Sequence, residues 1–137
     1  MIVDVLIIWN FLVYVPLCVY SRFGVYVNIY ININEPLYNN LQVPGSYVII
    51  PNQGSKGVLI FRSTWDEFLA YDLHATFEPE NNCGCIISPD DSFTLEDPCS
   101  SSTYAVVNGS VITGPAVQGL QQYSASYDGF SVVRVNN

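Results

Sequence analysis

The segment "AYDLHATFEPENNCGC", residues 70–85, and its companion "LEDPCSSSTYAVVNGSVITGPA", residues 95–116, decide how this chain folds. Each sets cysteine in a polar, turn-forming loop beside a short apolar run: Cys83 and Cys85 in the first, Cys99 in the second. Between them "SFTL" reads as a short strand. Further on, Asn108-Gly109 separates "YAVV" from "SVI", and Asp128-Gly129 separates "LQQYSASY" from "FSVVRV". Asn-Gly and Asp-Gly tolerate the positive φ angles of tight turns, so both pairs predict β-hairpins. For Asn108-Gly109-Ser110 the turn reading also takes precedence over the glycosylation sequon it happens to spell.

The same pattern of short strands runs towards the N-terminus. "VYVNIYINI", residues 25–33, sets Val25, Val27, Ile29, Ile31 and Ile33 on one side and Tyr26, Asn28, Tyr30 and Asn32 on the other. A period of two predicts a half-buried strand. "NEPLYNNLQVPGS" is polar and turn-rich; beyond it "YVII" and "VLIFR" flank the glycine-bearing "PNQGSKG", which predicts two joined strands. "STWDEFLAYD", residues 63–72, opens with Ser/Thr followed by acidic residues, a helix-start signal, and one helical turn is expected there. No other stretch holds a 3.6-residue period long enough for a helix. Most of the ten tyrosines alternate with apolar residues on these strands, where rings are expected to pack and hydroxyls to stay wet. The reading is all-β: one domain of short antiparallel strands, with no internal repeat or linker.

The 137 residues suit one domain of about 100 to 120 residues plus a terminal appendage. Half of them are hydrophobic and only 12% are charged. Twelve acidic residues face Arg22, Lys56, Arg62 and Arg134, which are scattered, and the net charge is −8. Nucleic-acid binding needs a cationic footprint on phosphate, so that class is excluded. Residues 1–24 carry the one long apolar run, whose core Leu6–Val15 has the length of a signal-peptide apolar region, and Pro16 argues against a continuous membrane helix. Cys18 stands where a bacterial lipoprotein signal would be cut and lipidated, although Leu17 before it is larger than such cleavage prefers and a basic start is missing. Residues 1–24 are therefore expected to export the chain and tether it to a membrane, with an N-terminal strand as the alternative, and residues 25–137 to form the domain.

The order of these features from Val27 onward resembles the Rieske-type iron–sulfur domain, most closely the small Rieske-like lipoproteins of Bacteroidetes. The resemblance is carried by "VNIYININEPLYNNLQVPGSYVII", "KGVLIFR", "DEFLAYD", the two cysteine segments, "NGSVITGPA" and "LQQYSASYDG". Gly114-Pro115-Ala116, ahead of Leu120 and Tyr123, matches the segment that covers the cluster in that family. The resemblance implies stacked small sheets with hairpin loops at one end. It also implies a cluster held as Cys-x-His from the first loop and Cys-x-x-His from the second, two thiolates on one iron and two imidazoles on the other.

Those four positions fall on Ala75, Phe77, Asp97 and Ser100. Ala75 and Phe77 have no lone pair, and Asp97 and Ser100 offer hard oxygens better suited to Mg²⁺ or Ca²⁺ than to iron–sulfide. The cluster ligands are absent under this correspondence. What remains is the family's second pair of cysteines: Cys99 occupies the place of the non-ligand cysteine that ties the two loops together. The resemblance gives it Cys83 as disulfide partner, with Cys85 as the alternative. Such a bond, closing roughly 15 residues, contributes about 3 kcal/mol in the chain-entropy account and suits an exported chain.

The same residues admit other chemistries. His74, Cys83, Cys85 and Cys99 make a formal Cys₃His set for zinc or a relocated 2Fe–2S cluster, although Cys-x-Cys is not the usual knuckle spacing. His74 could pair with Cys83, Cys85 or Ser101 as base and nucleophile, but no nucleophile-elbow pattern accompanies it. Glu78, Glu80, Asp90, Asp91, Glu96 and Asp97 read as a solvated acidic rim, and their spacing misses the calcium-loop template. The expectation is a degenerate Rieske-fold envelope protein with no cofactor and no catalytic residue, acting through a protein partner. Its alternative is electron transfer through the relocated set, and a third reading is a redox-responsive thiol pair.

Overall fold

The computed structural model describes residues 25–137, and the expectations for residues 1–24, Cys18 among them, lie outside the described residues. Among the described residues, ten strands form two antiparallel sheets. They are β1 (Asn28–Asn32), β2 (Tyr47–Ile50), β3 (Val58–Arg62), β4 (Phe68–Asp72), β5 (Ile86–Ser88), β6 (Asp91–Glu96), β7 (Thr103–Ala105), β8 (Val111–Thr113), β9 (Gln122–Tyr127) and β10 (Val132–Asn136). The larger sheet has the order β1-β10-β9-β4-β3-β2 and the smaller one β5-β6-β7-β8. Helical geometry among the described residues is limited to two short 3₁₀ turns, Asn39–Gln42 and Pro79–Asn81.

The alternation read from residues 25–33 holds. Val27, Ile29, Ile31 and Ile33 are buried, while Tyr26, Asn28 and Tyr30 face solvent. β3 behaves differently because both of its faces are covered. Val58 and Ile60 join one core with Ile29, Ile31, Val133 and Val135. Leu59 and Phe61 join a second core with Tyr71, Leu95, Tyr104 and Val106. A strand buried on both faces needs a continuous apolar run, which "VLIFR" supplies. Burying each such side chain contributes about 1.5–3 kcal/mol before the entropy of ordering is subtracted. The second core lies on the side of the molecule that carries the cysteine loops.

One expectation is corrected. Residues 63–72 form no helical turn: Phe68–Asp72 is β4, paired in full with β3. The polar residues before it close the β3–β4 hairpin loop instead, with Ser63 N–H donating to Glu67 O at 2.9 Å and Asp66 N–H to Thr64 Oγ1 at 3.2 Å. Arg62 takes the carbonyls a helix would use, donating to Thr64 O at 3.2 Å and Trp65 O at 2.5 Å. Tyr26, Tyr30, Tyr38, Tyr47 and Tyr127 are exposed or half-buried, in line with the expectation for most tyrosines. Tyr71 and Tyr104 are wholly buried, and Tyr123 nearly so.

Both glycine-turn hairpins form, with loops longer than two residues. In β7–β8 the chain closes through Ala105 N–H to Ser110 O at 2.8 Å, and Gly109, at φ +73°, lies against the Tyr71 ring. A Cβ there would stand 3.2 Å from that ring, so the position needs glycine both for its φ and for the close approach. In β9–β10 the side chain of Asp128 organises the turn, its Oδ1 accepting from Phe130, Ser131 and Val132 N–H.

Candidate functional site at the two cysteine loops

The first cysteine loop leaves β4 and returns to β5. Its neck is closed by Cys85 N–H to Leu73 O at 2.7 Å, Ala75 N–H to Cys83 O at 2.9 Å, and a bridge between His74 and Gly84. The excursion turns through Pro79–Asn81, between Glu78 and Asn82 in the left-handed region. The second loop, between β6 and β7, is closed by Asp97 N–H to Ser102 O and Ser101 N–H to Asp97 O, both at 2.8 Å. The segment after β8, with a cis Gly114–Pro115 bond, lies against the second loop.

Cys83 and Cys99 form a disulfide, their Cα atoms 6.3 Å apart and 16 residues apart in sequence. Cys83 is half-buried and Cys99 exposed. Cys85, the other candidate partner, is a free thiol buried in the second core. Burial first, and then the charges of Asp97 and Asp72, push its pKa up to about 12. It stays protonated and weakly nucleophilic. The odd thiol that the sequence left unassigned is thus a core residue.

At the four positions the resemblance gives to cluster ligands, the side chains are otherwise engaged. Ala75 is buried in the second core and Phe77 packs at its edge. Asp97 is 0% exposed. Its Oδ1 accepts Cys99 N–H at 2.9 Å, and its Oδ2 accepts the Ser100 hydroxyl at 2.6 Å. Because Ser100 spends its proton on the carboxylate, the 2.7 Å contact between Ser100 Oγ and Ser102 Oγ requires Ser102 to donate. Ser102 Oγ in turn accepts Ala116 N–H at 3.0 Å. A directed chain therefore runs from the Gly114-Pro115-Ala116 segment through two hydroxyls to the buried carboxylate. Charge-assisted bonds of this kind are about twice as strong as neutral ones. These residues do not fit a 2Fe–2S cluster: two positions lack donors, and the other two bind each other.

A second buried carboxylate braces the first loop from behind. Asp72, 2% exposed, accepts Ser55 N–H at 2.7 Å, Lys56 N–H at 3.1 Å, His74 N–H at 2.9 Å and the Tyr123 hydroxyl at 2.6 Å. Gly54, at φ +63°, makes room for it, since a Cβ there would sit 2.5 Å from Asp72 Oδ2. His74 is buried and both ring nitrogens are engaged: Nε2 at 2.8 Å from Pro79 O, and Nδ1 at 2.5 Å from Ser55 Oγ. A carbonyl can only accept, so Nε2 carries the proton. Tyr104 closes a further tie, its hydroxyl 2.9 Å from Thr76 Oγ1, which donates to Gln118 O.

The Cys₃His set is not assembled. The group of potential ligand atoms that converges among the described residues is Cys83, Asp97 and Cys99, all within 4.8 Å of one another, without His74 or Cys85. The nucleophilic pairing of His74 with Cys83, Cys85 or Ser101 is likewise unsupported, because its ring serves Ser55 and Pro79. Sequence reasoning flagged Asp97 as a lost ligand and missed its role as the hub of its loop. The signal was its place in "DPCSSS", since Asp and Ser commonly bond the backbone two residues on.

No family model matches the chain, and no curated protein matches it either. Among solved structures, it is similar to the ferredoxin of carbazole 1,9a-dioxygenase from Nocardioides aromaticivorans IC177, at 17% identity and TM-score 0.48 over 81% of this chain and 99% of that one. It is similar to a putative NADH-dependent nitrite reductase small subunit from Mycobacterium tuberculosis, at 18% identity and TM-score 0.46 over 83% and 97%. It is also similar to a chain in the complex of reduced oxygenase and oxidized ferredoxin in carbazole 1,9a-dioxygenase, at 17% identity and TM-score 0.50 over 80% and 93%. At such identities this last likeness speaks to architecture alone: the described residues have an all-β, Rieske-like ferredoxin fold of two antiparallel sheets.

Proposed function

We propose that this chain is a Rieske-fold module that holds no 2Fe–2S cluster and serves a structural or binding role. One observation carries the reading: Asp97 and Ser100, where the resemblance calls for ligands, are bonded to each other. A Rieske cluster needs two thiolates and two imidazoles facing it, and here a methyl, a benzyl, a committed carboxylate and its hydroxyl partner occupy those places. Two other devices keep the loops in shape without metal, the Cys83–Cys99 bond and the Asp72 cradle.

The disulfide favours an oxidising compartment. Together with the apolar run in residues 1–24, it supports an exported, periplasmic or envelope-associated chain, tethered to the membrane by that segment or by a lipid on Cys18. Such a protein would stand closest to the small Rieske-like lipoproteins of Bacteroidetes. It is not an enzyme in this reading: the single histidine is buried and engaged, and the free thiol of Cys85 is held protonated. Its partner is a protein recognised through the folded surface.

Anaerobic reconstitution with ferrous iron and sulfide tests this. The account expects the protein to stay colourless and to give no paramagnetic signal on reduction. A red-brown product with a reducible paramagnetic centre would restore the electron-transfer reading.

A further inference from the structure

Cys83 Sγ, Cys99 Sγ and a carboxylate oxygen of Asp97 lie within 4.8 Å of one another. While the sulfurs are bonded to each other they are not thiolates and cannot serve as metal ligands. Their surroundings do not depend on that bond. The neck of the first loop is held by Ala75 to Cys83 and Cys85 to Leu73 backbone hydrogen bonds, and the second loop by Asp97 to Ser102, Ser101 to Asp97, and Ala116 to Ser102. Opening the disulfide leaves two thiols on anchored loops, Cα atoms 6.3 Å apart, facing a buried carboxylate. Each Asp97 oxygen accepts one hydrogen bond, from Cys99 N–H and from the Ser100 hydroxyl, and keeps a second lone pair.

We propose that reduction of Cys83–Cys99 converts this junction into a Cys₂Asp site for a zinc-class divalent cation. A dithiol reductant supplies two electrons and two protons to the sulfur–sulfur bond, giving two cysteine thiols and the reductant's own disulfide. The cation then takes both sulfurs as thiolates, releasing two protons to solvent, and takes Asp97 as a third ligand, with water in the fourth position. Zinc–sulfur bonds of about 2.3 Å and zinc–oxygen bonds of about 2.0–2.2 Å place tetrahedral ligands just under 4 Å apart, within reach of the observed spacing. The Ser100 hydroxyl and Cys99 N–H would orient the carboxylate as outer-shell donors. Cys99 is exposed, so reductant and ion can both reach it. The inference rests on the cluster-free reading, because Asp97 must face the sulfurs and not an iron–sulfide group.

The test uses the full chain carrying Cys18→Ser, reduced with a dithiol that is removed anaerobically, then titrated with Co²⁺ as a spectroscopic stand-in for zinc. The expected result is one Co²⁺ per chain with thiolate-to-cobalt charge-transfer absorption, displaced by Zn²⁺ and absent from the oxidised protein. Cys99→Ser should abolish the charge-transfer band, and Asp97→Asn should weaken binding at least tenfold. Absence of the band in reduced protein, an equal band in oxidised protein, or a band indifferent to Cys99→Ser overturns the proposal. The oxidised and reduced forms of the same chain can be compared without any loop variant, so a misfolded substitution cannot hide the answer. Iron bound to the protein as isolated would instead refute the cluster-free reading, whatever cobalt does.

Discussion

The Ser100 hydroxyl donates to the Asp97 carboxylate across 2.6 Å. In the Rieske arrangement that this chain resembles, those two positions supply two of the four cluster ligands. Here the hydrogen bond ties the loop to itself, and it extends through Ser102 to the backbone of Ala116. Losing the carboxylate strips a charge-assisted acceptor from both Cys99 N–H and Ser100. Asp97→Ala should therefore cost about 3 kcal/mol, read as a lower urea midpoint with an unchanged slope. Ser100→Ala, which removes one donor, should cost less. Equal and negligible effects from both would mean the network is incidental.

Reduction alone should destabilise the domain without unfolding it. The Cys83–Cys99 bond closes 16 residues of sequence, for which the loop-entropy estimate is about 3 kcal/mol. Cys83→Ser and Cys99→Ser should lower stability by similar amounts, and the double variant by no more than either single one. Cys85 should resist alkylation in both redox states until the core opens, because it is buried. Peptide mapping after iodoacetamide treatment of native protein reads this directly.

Two buried tyrosines should respond in opposite ways to loss of the hydroxyl. Tyr123 donates to Asp72 at 2.6 Å, so Tyr123→Phe removes a charge-assisted bond and should cost about 1.5–3 kcal/mol. The Tyr71 hydroxyl is buried with no hydrogen-bond partner among the described residues, and burial, with the charge of Glu67 behind it, raises its pKa. Tyr71→Phe should be neutral or stabilising, by up to about 1–2 kcal/mol. Thermal melts of the two variants side by side give the comparison.

Acid should loosen the β9–β10 turn through Asp128. Three backbone N–H groups, first Phe130 and then Val132 and Ser131, hold its carboxyl below the usual aspartate range. A pKa depressed in the folded state means that the stabilisation is complete above the unfolded-state value and fades as pH falls through the folded one. Melting temperature between about pH 5 and 2 should thus fall less steeply for Asp128→Ala than for the parent chain. An unchanged slope would mean that the turn does not depend on this charge.

The correspondence between loop positions and ligands can be tested by reversal. Ala75→Cys, Phe77→His, Asp97→Cys and Ser100→His together restore the donors that the Rieske pattern requires. The combined variant, reconstituted with iron and sulfide, should take up a cluster that the parent chain does not. Failure with the fold intact, checked by circular dichroism, would place the ligand positions elsewhere.

Strands whose faces differ in polarity were legible in the sequence, as Val25–Ile33 and the hairpins at Asn108-Gly109 and Asp128-Gly129 demonstrate. Residues 63–72 were misread because Ser, Thr and acidic residues close a hairpin loop with the same kind of short-range bonds they use at a helix start. There the choice was made by β3, which pairs with Phe68–Asp72. β5 was missed because Ile86–Ser88 is too short to show a period. Within the site, the side chains that stand at Ala75, Phe77, Asp97 and Ser100 could be read residue by residue. That Cys85 faces the core could not, since Cys-x-Cys spacing leaves the depth of each sulfur undetermined. Nor could the convergence of Asp97 with Cys83 and Cys99, which depends on how two loops from different strands meet.

The central claim, loops closed by their own side chains in place of a cluster, is tested most directly by the iron and acid-labile sulfide content of the protein isolated without exposure to oxygen. The account predicts neither above background. Two irons and two sulfides per chain, the composition of a bound 2Fe–2S cluster, would contradict it.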